Sequence, residues 1–98
     1  MNPQPTVGIV GLGAMGLGVA RTLLRKGFAL HACDVRADVL ASVAAEGART
    51  CSAPADLAPA VDALIVLVVN ADQTDAVLFG PDGAAARLKP GSVVIASP

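Results

Sequence analysis

The sequence predicts an α/β domain, a doubly wound parallel sheet truncated after about five strands. Two observations carry this. Short β-branched runs alternate with helical segments along the whole chain, and residues 63–69 form an unbroken Ala-Leu-Ile-Val-Leu-Val-Val run. A strand apolar on both faces is covered on both faces, as happens in parallel sheets. Composition agrees: 54% of the 98 residues are hydrophobic, only 2% are aromatic, and alanine and valine dominate, which suits close helix-on-sheet packing.

Each element has a local reason. Residues 6–10 are a β-branched run ending in glycine, a buried-strand signal. From 14 to 26 the period becomes helical, with Gly16, Val19, Ala20, Leu23 and Leu24 on one face and Arg21, Arg25 and Lys26 opposite. Gly27 then sits where a left-handed stop is expected. Residues 28–33 form a second strand. A second helix covers 37–46, with Leu40, Val43 and Ala44 inward and Gly47 ending it. A brief strand at 48–51 precedes Ser52-Ala53-Pro54, a cap followed by a proline early in a short helix. The fourth strand covers 62–69. Asn70 caps a helix to about Phe79, Gly80-Pro81-Asp82-Gly83 breaks it, and a short helical stretch covers 84–88. Lys89-Pro90-Gly91 turns the chain into a fifth strand at 92–96.

Charge and composition exclude several classes. Seven Lys and Arg against eight Asp and Glu leave a net charge of −1. That is no field for a nucleic-acid backbone. The longest strictly apolar run, 63–69, is far too short to span a bilayer. Residues 1–20 carry no charge, but they lack a basic start and five glycines interrupt them, which argues against a signal peptide. Cys33 and Cys51 are too few for a disulfide scaffold and lack CxxC spacing, so reduced thiols, no metal site and a cytoplasmic location are expected.

The chemistry-bearing motif is Gly11-Leu12-Gly13-Ala14-Met15-Gly16, a G-x-G-x-x-G turn between a predicted strand and a predicted helix. Gly11 permits the tight turn, Gly13 lets a pyrophosphate approach the backbone, and Gly16 lets the helix lie close on the sheet. The helix N-terminus offers free N–H groups to phosphate. Asp34 ends the second strand, 18 positions after Gly16. A carboxylate there accepts from an adenosine ribose hydroxyl and repels a 2′-phosphate, which favours NAD over NADP. Arg36 is the residue that weighs the other way. The bland alternative is a tight turn with Asp34 capping the next helix.

Other candidates carry less. Asn70 and Gln73 follow the fourth strand, either near the nicotinamide half of a dinucleotide or as a capping box. His31, inside a strand, and Cys33 are expected to pack. Lys26 and Lys89 sit at a helix end and a turn. No catalytic constellation is visible.

These segments together resemble the N-terminal part of the β-hydroxyacid dehydrogenases, the family of 3-hydroxyisobutyrate and 6-phosphogluconate dehydrogenases. The resemblance rests on Val7-Gly8-Ile9-Val10 leading into the glycine turn, on residues 31–36, on Val77-Leu78-Phe79-Gly80, and on Lys89-Pro90-Gly91-Ser92-Val93-Val94-Ile95. Residues 31–36 and 67–71 are most similar to the subgroup acting on L-threonate. The resemblance implies a Rossmann-type fold, with residues 1–98 the N-terminal part of a dinucleotide-binding domain. It implies that Gly11, Leu12, Gly13, Ala14, Met15 and Gly16 bind the pyrophosphate and Asp34 the ribose. It further implies that Val68 and Val69, in place of the family's Leu-Pro, and Gln73 contact the cofactor. The family's Ser-Thr substrate pair falls just after Ser97, and its catalytic lysine and helical, dimer-forming domain fall beyond residue 98. No catalytic residue is therefore expected here. The resemblance implies a small hydroxy acid as the substrate of the intact enzyme and any homo-oligomer as forming through that second domain. The competing reading is a stand-alone nucleotide-sensing or interaction module.

Overall fold

Four consecutive buried residues make β1 (Val7–Val10) the centre of the sheet. The structure, a computed structural model of the chain, describes residues 5–34, 36–51, 53–67, 76–80, 83–84, 87–88 and 90–96. After β1 come α1 (Ala14–Arg25), β2 (Leu30–Cys33), α2 (Ala37–Ala45) and β3 (Arg49–Cys51). Then follow α3 (Pro54–Leu57), a 3-10 turn (Ala58–Ala60), β4 (Ala63–Val66) and β5 (Val93–Ala96), with residues 76–79 helical between them. The strands lie in the order β3-β2-β1-β4-β5, all parallel. The expected α/β doubly wound sheet is present.

The winding is visible in the core, which forms one apolar layer on each face. On one side α1 and α2 bring Leu17, Val19, Leu23, Leu24, Val39 and Leu40 against Ile9, Leu12, Ala32 and Val43. On the other, Leu57, Ala58, Val61, Leu64 and Val66 pack with Cys33, Ala84, Val77 and Leu78. Gly8 lets this second layer close down: a Cβ there would lie 2.9 Å from Val61 and 3.0 Å from Leu57. Leu64 is fully buried in it. Leu64→Ala is expected to cost about 2–4 kcal/mol in urea unfolding, the transfer term plus an unfilled cavity. A loss below about 1 kcal/mol would mean that the layer collapses freely.

Both helix stops use the left-handed glycine expected of them. Gly27 (φ 87°) follows α1, with Gly27 N–H donating to Leu24 O and Phe28 N–H to Leu23 O. Gly47 (φ 111°) repeats the pattern after α2. This double bond satisfies carbonyls that the helix end leaves open.

Some boundaries move. β2 starts at Leu30, because Phe28 closes the helix stop and Ala29 leads out of it. Ala44 is exposed, and Val39 packs inward with Leu40 and Val43 instead. The cap of α3 is Ala53 with no side-chain bond, and Ser52 lies outside the described residues, as do Asn70 and residues 68–69 of the expected fourth strand. Among the described residues, no helix is long and apolar enough to cross a membrane.

Candidate functional site

The strand order reverses at β1. The chain steps from β1 outward through β2 and β3, and later returns to the other side of β1 with β4 and β5. In open α/β sheets, the crevice beyond the C-terminal ends of the strands at such a reversal is where ligands bind. Two hydrogen bonds define its floor: Gly11 N–H donates to Cys33 O at 3.0 Å, and Leu67 N–H to Val10 O at 2.8 Å.

The glycine turn emerges from that floor. Gly11 has φ 99°, a left-handed conformation that a side chain would strain. Gly16 is buried against it, and a Cβ on Gly16 would run into the Gly11 carbonyl oxygen. Gly13 is different: it is exposed, has φ −68° and ψ −171°, caps α1 without any side-chain bond, and among the described residues has nothing within 4 Å of where a Cβ would be. The first intrahelical acceptor is Gly13 O, bonded by Leu17 N–H. Earlier N–H groups of α1 therefore point out of the helix end. No acidic residue occupies that first turn, so its positive end is uncompensated.

The other members of the motif separate into two kinds. Leu12 is wholly buried. Ala14 is exposed, and Met15 stands 69% exposed at the helix start.

Among the described residues, Asp34 is the one charged residue in the buried set, and it accepts hydrogen bonds from Leu12 and Arg36. Its Oδ2 accepts from Leu12 N–H at 2.7 Å, which ties the end of β2 to the glycine turn. Its Oδ1 accepts from Arg36 N–H at 2.9 Å. The Arg36 guanidinium covers both oxygens, Nε at 3.0 Å from Oδ1 and Nη2 at 3.1 Å from Oδ2. Arg36 holds the carboxyl down at about 2, the two backbone N–H groups add to this, and burial works against them. The same pair raises the Arg36 pKa. The sequence marked Asp34 and Arg36 as opposing influences on a ligand; the structure places them on each other.

Of the expected site residues, the structure brings Gly11, Leu12, Gly13, Ala14, Met15, Gly16 and Asp34 to one crevice. Val68, Val69, Gln73 and Ser97 lie outside the described residues. His31 sits in β2 opposite Arg49, and burial and then the Arg49 charge lower its pKa. Cys33 packs as expected. Among the described residues, no group of three His, Cys, Asp or Glu could hold a metal ion.

Residues 6–97 match the family of the NAD binding domain of 6-phosphogluconate dehydrogenase. The chain belongs to that family. This NAD-binding domain is 56% identical over 91 residues to an L-threonate dehydrogenase of Cupriavidus necator, covering 93% of the chain and 31% of that protein. It is 33% identical to the mitochondrial 3-hydroxyisobutyrate dehydrogenase of Rattus norvegicus, covering 99% of the chain and 29% of that enzyme. A crystal structure of 3-hydroxyisobutyrate dehydrogenase from Salmonella typhimurium superposes with a TM-score of 0.91 at 46% identity, over 96% of the chain and 33% of that structure. The NAD-binding domain thus spans about a third of the length of its relatives. The resemblance seen in the sequence and the Rossmann-type fold are both borne out.

Proposed function

We propose that the chain is the NAD-binding part of an oxidoreductase that oxidises a small β-hydroxy acid, L-threonate or a 3-hydroxyisobutyrate-like acid, by hydride transfer to NAD. One observation carries the reading. Exposed Gly13, the open N-terminus of α1 and buried Asp34 share one crevice at the strand reversal, joined through Leu12 N–H. The 56% identity with an L-threonate dehydrogenase supports the substrate class.

The residues present fit a dinucleotide. Among the described residues nothing lies within 4 Å of where a Gly13 Cβ would be, and the outward N–H groups of α1 suit a pyrophosphate. Gly11 and Gly16 shape the turn, Leu12 contributes its backbone, and Ala14 and Met15 border the phosphate position. Asp34 accepts from the adenosine ribose, an exchange in which the half-exposed Arg36 guanidinium gives way. Val68, Val69 and Gln73 contact the nicotinamide side. NAD, when bound, supplies the hydride acceptor. The chain's own residues bind and orient. In this reading the isolated chain works in the cytoplasm as a binding unit, turns over no hydroxy acid, and any oligomer forms elsewhere in the intact enzyme.

Calorimetric titration of the folded chain with NAD and, separately, NADP tests this. NAD is expected to bind at least about tenfold more tightly, about 1.4 kcal/mol, because Asp34 disfavours a 2′-phosphate. A preference for NADP would move the ribose contact to Arg36. Binding of neither would overturn the assignment of the glycine turn.

A further inference from the structure

The two cysteines lie where no role in dinucleotide binding uses them. The parallel ladder between β2 and β3 pairs Cys33 directly with Cys51 at the last residue of each strand. Both side chains join the same apolar layer, the one beneath α3. Paired residues on neighbouring strands sit about 4.8 Å apart, within the roughly 4.4–6.8 Å that a disulfide needs between Cα atoms. Both thiols are free, Cys33 buried and Cys51 half-buried. β3 is a three-residue edge strand, so its end can shift toward β2 without breaking a second ladder.

We infer that Cys33 and Cys51 form an oxidisable dithiol, a modification site that a hydroperoxide converts to an intrachain disulfide across β2 and β3.

The two sulfurs have different parts in the reaction. The neighbouring Cys33 thiol lowers the Cys51 pKa, while Cys51 and then burial raise that of Cys33; the Cys51 thiol itself donates to Ala53 O at 3.4 Å. The negative charges of Asp34 and Asp56 also favour the protonated form of Cys33, and that of Asp56 acts on Cys51 in the same sense without reversing its lowered pKa. Cys51, the more accessible and more readily ionised sulfur, attacks the peroxide oxygen. The O–O bond breaks, hydroxide leaves, and Cys51 becomes a sulfenic acid. The Cys33 sulfur then attacks Cys51, its proton leaves with the sulfenic oxygen as water, and the S–S bond forms. In sum, two thiols and one hydrogen peroxide give one disulfide and two waters, with two electrons passing from sulfur to peroxide. The bond forms one residue from Asp34, so it pins the strand end that carries the carboxylate.

Hydrogen peroxide added to the folded chain, followed by intact-mass and peptide-mass analysis, tests the inference. The expected product is a monomer lighter by about 2 Da with residues 33 and 51 linked, a native far-ultraviolet dichroism spectrum, and full reversal by dithiothreitol. Cys33→Ser is expected to stop at the first stage, heavier by about 16 Da on Cys51. If that variant does not fold, the wild-type product alone decides. A wild-type chain that only gains oxygen, links to a second chain, or forms the bond only after losing its native spectrum would overturn the proposal. None of these readouts depends on dinucleotide binding.

Discussion

Asp34→Ala is expected to lower stability by about 2–3 kcal/mol near neutral pH and to abolish NAD binding. The stability loss has two sources. Leu12 N–H, bonded to Asp34 at 2.7 Å, is left without its acceptor in a buried position, a defect worth about 1–3 kcal/mol. The ionised carboxylate is also itself a folding contribution, because its pKa falls from 3.8 to about 2 in the folded chain. A depressed acid stabilises the fold fully above its unfolded value, and that contribution fades as pH falls through the folded value. A shift of this size corresponds to about 2 kcal/mol. Urea unfolding across the acid range checks this: the gap between wild type and variant is expected to narrow as pH falls from about 5 toward 2. A gap that stays constant would show that the charge is irrelevant. Asp34→Asn retains an acceptor for Leu12 but loses the ion pair, so its stability loss is expected to be the smaller one.

The glycine turn gives the second large effect, and its two halves are expected to respond in opposite ways. Gly16→Ala places a Cβ against the backbone carbonyl of Gly11, which has no rotamer to escape into. Overpacking against backbone lies at the upper end of such penalties, about 3 kcal/mol. Gly13→Ala meets nothing within 4 Å among the described residues and has an ordinary φ of −68°. Its stability cost is expected to stay below about 1 kcal/mol, the loss of a favoured cap residue. Yet its methyl group stands where the pyrophosphate is proposed to approach, so NAD affinity is expected to fall at least about tenfold. Denaturant midpoints and NAD titrations of both variants separate the effects. A Gly13→Ala chain that binds NAD as wild type does would remove the pyrophosphate from that position.

How much of this was legible beforehand depended on the range of each interaction. The glycine turn, the helix stops at Gly27 and Gly47 and the apolar run of β4 were readable because each is a local constraint on φ or on burial. The inward face of α2 was not, since the polar stripe of Asp38, Ser42 and Glu46 at every fourth position leaves Ala44 roughly opposite it, beside Leu40. Ala44 therefore read as core and is exposed. Long-range contacts were invisible for a different reason. The bond from Leu12 to Asp34 spans 22 residues, and the pairing of Cys33 with Cys51 depends on a strand register that the connecting helix sets. Arg36 was recognised as relevant to the ligand, but its fold back onto Asp34 is a property of loop geometry.

That fold-back bears on the thermodynamics of recognition. Each oxygen of Asp34 already has two donors, so a ribose proposed to bind there enters as a competitor of the protein's own guanidinium. Association at this position is an exchange of partners with little net change in hydrogen bonding, and its heat is correspondingly small. In the proposed complex the gain comes from the phosphates at α1 and from apolar surface, while Arg36 sets the threshold that a ligand must exceed. On that proposal a nucleotide lacking the pyrophosphate brings nothing to exceed it with, so the crevice is expected to discriminate against free adenosine without any contact dedicated to rejecting it.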